Sequence, residues 1–210
     1  MKNKTMLLAT TAACLAPMAL GALYYSQLPE RMAIHFNAAG VPDNYASKAF
    51  VCFGLPALMA LMNLVVHLVV NADPKKAGGA PVMIAMGKWA IPVICVFLMP
   101  VTIFYALGRN VNVGTIVPMF IGLVFIAIGN YLPKCRQNYT VGIKLPWTLA
   151  SEENWRRTHR FGGVTFILGG VLMLAAGFLP DYFTGVIAAV LALTVAAPAV
   201  YSYSMYKRGI

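Results

Sequence analysis

Few side chains in this sequence could do chemistry. Asn63 and His67 stand four residues apart, a spacing that places both on one face of a helix. An ionisable residue in a long apolar segment suggests catalysis or proton transfer. His67 lies close to the end of its segment, however, where a hydrogen bond at a membrane interface is the simpler role. The sequence has no HExxH motif, nucleophile elbow or phosphate-binding glycine loop, and we predict that the protein is not an enzyme.

The four cysteines favour neither a metal site nor a disulfide framework. Cys14, Cys52, Cys95 and Cys135 are scattered, with no CxxC pair and no cluster of cysteine and histidine. Three of them lie inside or at the edge of apolar segments, where cysteine behaves as a small hydrophobic residue. We therefore predict no metal and no cofactor.

The elements that carry these residues are predicted to lie in a membrane. Hydrophobic residues make up 60% of the 210-residue chain and charged residues only 10%, against about 25% charged residues in a typical soluble domain. Because too few polar groups remain to cover a surface in water, lipid must cover much of it. The net charge of +10 resides in connectors between apolar segments, so we predict membrane lipid as a partner and no direct contact with nucleic acid.

Six apolar segments are long enough to cross the roughly 30 Å hydrocarbon core of a bilayer as helices. They comprise residues 6–28, 49–70, 89–107, 115–132, 161–179 and 184–206, and none contains a charged residue. The first could instead be a secretory signal peptide, but it exceeds the usual apolar core of about 7–15 residues. It also ends near Tyr24 and Tyr25, which suit a membrane interface. We predict an all-α membrane protein of about six transmembrane helices.

Lysine and arginine are unevenly distributed between the two predicted faces, and this bias indicates the orientation. With the N-terminus inside, 13 of the 16 basic residues face the cytoplasm, and Arg31, Lys48 and Arg109 face outward. The inner set comprises Lys2, Lys4, Lys75, Lys76, Lys88, Lys134, Arg136, Lys144, Arg156, Arg157, Arg160, Lys207 and Arg208. Since the opposite orientation would reverse the bias, we predict that both termini lie in the cytoplasm.

The connector between the first two segments, residues 28–48, is predicted to form a structured outer loop. It combines residues that favour tight turns, including Asn37, Gly40 and Asp43, with an apolar and aromatic stretch at residues 34–36. We therefore expect a turn or a short hairpin at the outer membrane face. His35 is the titratable residue of this loop that could act as a switch, and two roles are open: holding the turn through one hydrogen bond, or contacting a ligand.

The connector before the fifth segment, residues 129–163, is a long inner loop with six basic and two acidic residues, a net charge of +4. Ser151 suits a helix N-cap, and Glu152 and Glu153 complement the positive end of a helix dipole. A helix is therefore predicted to begin there and to continue into the fifth segment. Two interpretations are open: a basic connector attracted to anionic lipid, or a docking surface for a cytoplasmic partner.

The fifth and sixth segments carry small residues at regular spacing. Gly163, Gly170 and Gly177 recur every seven residues, and alanines recur every four residues from Ala188 to Ala196. Small side chains let helix backbones approach closely in a membrane, so this pattern predicts plain helix packing. The short connector at residues 180–183 predicts an antiparallel helix hairpin.

Both loops resemble the SdpI family of bacterial immunity proteins. In the outer loop the resemblance rests on Leu28, Pro29, Ile34, His35, Phe36, Asn37, Gly40, Pro42, Asp43, Ser47 and Lys48, which look like a small domain of unknown function common near the N-terminus of that family. In the inner loop it rests on Gly129, Asn130, Asn138, Gly142, Ile143, Pro146, Trp147, Thr148, Leu149, Trp155, Thr158, His159 and Arg160.

The resemblance implies a multi-pass protein of the bacterial cytoplasmic membrane that protects its producer from a secreted antimicrobial peptide toxin. It also implies a signalling role, in which a cytoplasmic repressor is held at the membrane when toxin is present. The implied toxin-sensing residues of the outer loop are His35, Phe36, Asn37, Gly40, Asp43 and Lys48. The implied docking residues of the inner loop are Asn130, Asn138, Gly142, Lys144, Pro146, Trp147, Thr148, Trp155, His159 and Arg160.

We predict three parts: residues 1–70 with the outer loop and its flanking helices, residues 71–132 with the third and fourth helices, and residues 133–210 with the inner loop and a C-terminal helix hairpin. Two other function classes are open. A small transporter or exporter would be indicated by paired broken helices in two related halves, but no convincing repeat is visible. An intramembrane enzyme would need catalytic groups that the apolar segments lack.

Overall fold

The computed structural model describes residues 2–37, 40–75 and 81–210. Within these ranges the α-helices are α1 (Lys2–Leu15), α2 (Pro17–Tyr24), α3 (Leu55–Ala72), α4 (Pro81–Ala106), α5 (Val113–Tyr131), α6 (Pro146–Ala150), α7 (Glu152–Ala176), α8 (Phe183–Leu191) and α9 (Ala197–Lys207). Two strands are β1 (Arg31–Phe36) and β2 (Pro42–Ser47). Short 3-10 turns cover Tyr25–Gln27, Leu132–Lys134 and Pro180–Tyr182, and π-helical turns cover Phe50–Gly54 and Ala192–Ala196.

Within the described ranges, six helical segments are long and apolar enough to cross a membrane. We call them the first to sixth spans: Asn3–Gln27, Phe50–Ala72, Pro81–Ala106, Val113–Lys134, Glu152–Ala176 and Phe183–Lys207. The predicted all-α membrane fold is thus confirmed. Lys76, one of the basic residues predicted on the inner side, lies outside the described residues.

The third span begins earlier than the sequence predicted, and it includes Lys88. Its helix starts at Pro81, where a proline is tolerated because the first N–H groups of a helix have no intrahelical partner. The Lys88 side chain is 1% exposed, and its Nζ donates a hydrogen bond to Asn3 Oδ1 at 3.3 Å. A charged residue therefore lies within the third span, and the Asn3 side chain gives it a polar contact there.

The chain divides into two compact units, and the first comprises Met1–Val69 and Met86–Gly114. Its apolar core includes Cys14, Met32, Val51, Cys52, Cys95 and Ile103. A polar cluster lies beside this core. His67 is 2% exposed, and its Nε2 lies 3.0 Å from Thr10 Oγ1. Asn63 Nδ2 donates to the same hydroxyl at 3.1 Å. Asn63 and His67 of the second span thus both contact the first span.

The outer loop folds into an antiparallel hairpin of β1 and β2, which we call the outer hairpin. Its register pairs Arg31 with Ser47 and Phe36 with Pro42, and it shifts on either side of His35. Met32 and Ala33 are buried and their β1 neighbours His35 and Ile34 are exposed. The irregular register therefore turns one part of β1 inward and leaves the tip outward.

The second unit comprises Val70–Ala85 and Thr115–Ile210, so the inner loop and the last three spans lie in it. The fourth and fifth spans pack with their backbones in contact at two levels. A Cβ on Gly122 would lie 2.6 Å from the Gly170 carbonyl oxygen, and a Cβ on Gly129 would lie 2.6 Å from the Gly163 carbonyl oxygen. The glycine stripe of the fifth span therefore serves the close packing predicted for it.

Candidate functional site

The tip of the outer hairpin is held by side chains that the sequence singled out. His35 Nδ1 and Asp43 Oδ1 lie 2.5 Å apart, and both side chains are exposed. Asn37 Oδ1 accepts a hydrogen bond from the Val41 N–H at 3.1 Å, and the Gly40 N–H donates to the Asn37 carbonyl at 2.9 Å. His35 thus makes the hydrogen bond of a turn-holding residue while its ring stays open to solvent.

Phe36 and Lys48 attach the outer hairpin to the helices of the first unit. The Phe36 ring meets the Tyr105 ring edge to face, with centroids 5.0 Å apart. Lys48 Nζ lies 2.9 Å from Glu30 Oε1 and 4.9 Å from the centroid of the Tyr25 ring. Both residues are half-buried, so they position the hairpin.

The inner loop opens with a turn organised by Asn138, whose side chain is buried. Asn138 Nδ2 donates to the carbonyls of Arg136 at 2.8 Å and Val141 at 2.9 Å. Its Oδ1 accepts from the N–H groups of Thr140 at 2.9 Å and Val141 at 2.7 Å. One amide therefore satisfies four backbone groups and fixes the path of this turn.

Trp155 and His159 form the buried base of the inner loop, with ring centroids 4.0 Å apart in a stacked arrangement. Trp155 Nε1 donates to the Cys135 carbonyl at 2.7 Å. His159 Nε2 accepts from the Ile143 N–H at 3.0 Å, so the ring proton resides on Nδ1, which donates to the Trp155 carbonyl at 2.8 Å. His159 is therefore a neutral imidazole: Nδ1 bonds within α7, and Nε2 joins α7 to the segment around Ile143.

Gly142 passes directly over this base with a φ of +118°, a conformation that residues with a Cβ rarely adopt. A Cβ at this position would overlap His159 Nε2 and lie 3.1 Å from Trp155 Cζ2. Glycine is therefore required here for both the backbone conformation and the close approach.

The short helix α6 is fixed by Thr148, which is fully buried. Thr148 Oγ1 accepts from the Leu145 N–H at 2.8 Å and lies 3.0 Å from the Ile143 carbonyl oxygen, to which it can donate. Pro146 opens the helix at its first position and is exposed. These contacts close the loop just before Ser151, whose hydroxyl caps α7 by accepting from the Asn154 N–H at 3.2 Å.

The ten predicted docking residues fall into groups by exposure. The buried group, which organises the loop, comprises Asn138, Thr148, Trp155 and His159. The half-buried group comprises Gly142 and Trp147. The exposed group, which a partner can reach, comprises Asn130, Lys144, Pro146 and Arg160. The side chains of the last group are the most exposed of the ten.

Asp73 lies outside the inner loop but holds it in place, and the sequence analysis did not predict this role. It follows the second span and is 7% exposed. Its carboxylate accepts hydrogen bonds from the Lys75 N–H at 2.8 Å, the Tyr139 N–H at 2.9 Å and the Thr140 hydroxyl at 2.9 Å. Burial by itself raises the pKa of Asp73, but these hydrogen bonds outweigh burial and hold it below its ordinary value. The sequence signal that could have indicated this role is an isolated acidic residue in a connector whose other charges, Lys75 and Lys76, are basic.

Asn154 is a second residue that the sequence did not single out. Its side chain is fully buried. Nδ2 donates to the Ser202 carbonyl at 3.0 Å, and Oδ1 accepts from the Ser202 hydroxyl at 2.5 Å and the Thr158 hydroxyl at 3.1 Å. This pair ties the start of the fifth span to the end of the sixth. Since Asn154 looks like an ordinary first-turn residue, no local signal marks it.

The thiol of Cys135 lies in the inner loop but is not set up for chemistry. Burial raises the pKa of Cys135 to about 11, against a smaller lowering by the Asn138 amide, so the thiol is neutral at physiological pH. Among residues 2–37, 40–75 and 81–210, no group of three or more histidine, cysteine or acidic side chains is arranged to hold a metal ion.

Comparison with known proteins bears on both loops. Residues 134–202 match the SdpI/YfhL protein family, and residues 12–60 match a domain of unknown function, DUF1648. The resemblance to the SdpI family is confirmed. The chain is also 25% identical over 187 residues to Immunity protein SdpI of Bacillus subtilis (strain 168), covering 89% of this chain and 88% of that protein. No solved structure matches the chain.

The segment that matches the SdpI/YfhL family contains most of the residues that hold the inner loop in place. Asn138, Gly142, Thr148, Trp155 and His159 all lie within residues 134–202. The DUF1648 segment likewise contains the whole outer hairpin. The two matched segments of this multi-pass membrane protein therefore include most of the inner loop and all of the outer hairpin.

Proposed function

We propose that the protein is an integral membrane immunity protein of a bacterial cytoplasmic membrane, which protects its producer against a secreted peptide toxin. The observation that carries the proposal is the similarity to Immunity protein SdpI, which extends over 89% of this chain. The similarity includes both loops, so the proposal concerns the two faces of the protein, with the spans as their scaffold.

The outer hairpin is the proposed toxin-sensing surface. It exposes Ile34 at 41%, Val41 at 54% and Tyr45 at 43%, and the exposed His35 and Asp43 lie beside them. A surface that combines apolar side chains with hydrogen-bonding groups suits an amphipathic peptide, because the apolar contacts supply affinity and the polar groups supply specificity.

The inner loop is the proposed docking surface for a cytoplasmic repressor. Among its predicted docking residues, Asn130, Lys144, Pro146 and Arg160 are exposed. The loop is held by hydrogen bonds to His159 and Trp155, so association requires little ordering, which favours binding. In this proposal toxin controls docking, which requires that toxin bind more tightly to the docking-competent conformation than to any other.

The proposal is tested by expressing the full chain in a toxin-sensitive bacterium and challenging the cells with candidate secreted peptides. We expect survival well above that of cells with the empty vector. Tyr45→Ala, on the outer hairpin, should reduce survival, whereas Tyr182→Ala, at an exposed tyrosine on the same predicted side but outside the hairpin, should not. Survival equal to the empty vector for every peptide tested would refute immunity to those peptides.

A further inference from the structure

A cleft of about 1070 Å³ lies in the second unit, where the inner loop meets the end of the fourth span and the start of the fifth. Lys75, which follows the second span, also lines it. Among the described residues, the charged ones that line it are four cations, Lys75, Lys134, Arg136 and Arg156, and two acids, Glu152 and Glu153. The apolar segment of the fourth span ends at Leu132, so Pro133 and Lys134 line the cleft at the level where the lipid headgroups begin.

Two of these charges neutralise each other. Glu153 Oε2 lies 2.8 Å from Arg156 Nη2, and Glu153 Oε1 lies 2.6 Å from Arg157 Nε. Both carboxylate oxygens of Glu153 are therefore occupied by guanidinium groups. The charges that remain in the cleft are Lys75, Lys134 and Arg136 against Glu152, an excess that favours an anionic ligand.

The two lysines are positioned by neutral groups. Lys134 Nζ lies 4.9 Å from the centroid of the Tyr131 ring. Lys75 Nζ donates to Gln137 Oε1 at 2.5 Å and lies 5.2 Å from the centroid of the Tyr139 ring. These contacts restrict the ammonium groups without cancelling their charge. Both lysines can therefore still attract an anion.

Arg136 extends from a part of the loop whose backbone carbonyls accept side-chain hydrogen bonds. Its carbonyl accepts from Asn138 Nδ2 at 2.8 Å, and the carbonyl of the preceding Cys135 accepts from Trp155 Nε1 at 2.7 Å. The side chain is exposed, and within the described ranges its guanidinium takes part in no ion pair. A guanidinium presents paired donors that match two oxygens of a phosphate. The buried residues of the loop thus fix the backbone from which a phosphate-binding side chain projects.

We propose that this cleft binds the phosphate of an anionic phospholipid headgroup, with Lys134 and Arg136 as its main contacts and Lys75 beside them. A phospholipid is favoured over a soluble anion because Lys134 stands two residues beyond the apolar segment of the fourth span, so the acyl chains can stay in the bilayer while the phosphate enters the cleft. The proposal does not depend on the immunity function, since it concerns lipid binding by the protein without toxin.

The test measures lipid binding to the full chain in detergent by native mass spectrometry, with phosphatidylglycerol as the probe and phosphatidylcholine as the neutral comparison. Arg136→Gln should weaken phosphatidylglycerol binding about fivefold, and Lys134→Gln with Arg136→Gln about thirtyfold. Arg208→Gln is the matched control, because Arg208 is an exposed cation of the same unit that does not line the cleft. It should leave binding unchanged.

Glu152→Gln supplies an opposite readout. Removing the opposing carboxylate should tighten phosphatidylglycerol binding about fivefold, a gain that misfolding cannot produce. Unchanged binding in both the double variant and Glu152→Gln would overturn the proposal. So would equal binding of phosphatidylcholine, equal binding of soluble glycerol phosphate, or displacement of phosphatidylglycerol by an acidic peptide at lower concentration, since each would assign the cleft to another ligand.

Discussion

The imidazole of His159 occupies the space that a side chain at Gly142 would fill. The contact places His159 Nε2 where it accepts the N–H of the residue that follows the glycine, Ile143, at 3.0 Å. Glycine at position 142 thus leaves the space that the His159 ring needs in order to accept this hydrogen bond. This arrangement brings the inner loop onto the start of the fifth span.

Gly142→Ala should destabilise the protein. The new Cβ would force the backbone away from a φ of +118° and would displace His159, and a strained backbone of this kind costs about 1–3 kcal/mol before the clash is counted. Thermal unfolding in detergent measures the effect. Gly108→Ala is the control, because Gly108 also has positive φ but a Cβ there would meet no atom within 4 Å. An equal loss in both variants would show that the His159 contact is unimportant.

His159→Ala and Arg160→Ala should distinguish a residue that stabilises the inner loop from a residue that contacts its partner. His159→Ala leaves the half-buried Ile143 N–H without its acceptor and removes the stack on Trp155, so it should cost roughly 1–3 kcal/mol of stability. Arg160 is exposed, and Arg160→Ala should change stability by less than about 0.5 kcal/mol. It should nevertheless reduce survival in the toxin challenge. Full protection by Arg160→Ala would argue against a docking role for this residue.

Asp73→Asn should weaken the attachment of the inner loop and change its response to pH. Because hydrogen bonds hold the folded pKa of Asp73 below its ordinary value of 3.8, the carboxylate contributes stability above that pH. The contribution is lost as the pH falls through the lower folded pKa. The wild type should therefore lose stability in acid where Asp73→Asn changes little, and the variant should already be weaker at pH 7. Unfolding curves across this range test the prediction, with the exposed Asp181→Asn as control.

Gly170→Val should separate the fourth and fifth spans. A Cβ on Gly170 would lie 2.6 Å from the Gly122 carbonyl oxygen, and overpacking of this kind costs roughly 1–3 kcal/mol. The midpoint of thermal unfolding should fall accordingly. Gly185→Ala, in the sixth span, meets no atom within 4 Å and should have little effect. A midpoint for Gly170→Val equal to the wild type would contradict the close backbone contact.

His35→Ala should reduce toxin protection without unfolding the outer hairpin. The side chains of His35 and Asp43 are 66% and 45% exposed, and an exposed pair contributes only about 0–1 kcal/mol. Stability should therefore change little while survival falls. Arg109→Ala is the control on the same predicted face, since this exposed residue lies outside the hairpin. If His35→Ala protects as well as the wild type, His35 only holds the turn.

The sequence by itself determined the membrane class, the six spans and the two structured loops. Apolar segments of sufficient length must cross a bilayer as helices, because backbone N–H and C=O groups find no partner in hydrocarbon unless they bond within the segment. Turn formers in residues 28–48 and the cap at Ser151 are likewise local signals, and the structure has a hairpin and a helix start at those places. The start of the third span was predicted wrongly, at residue 89, because the helix includes Lys88. Whether a span can hold a charged side chain depends on the polar groups that neighbouring helices bring to it.

Only the tertiary structure decided which residues of the inner loop are frame and which are surface. Asp73 bonds to Tyr139 and Thr140, and Asn154 bonds to Ser202, across long stretches of chain. A local pattern encodes whether a segment is a helix or a turn, but it does not specify the distant group that a polar side chain will meet. The cleft between Lys134, Arg136 and Glu152 has the same origin, because its shape exists only once helix ends from separate spans come together.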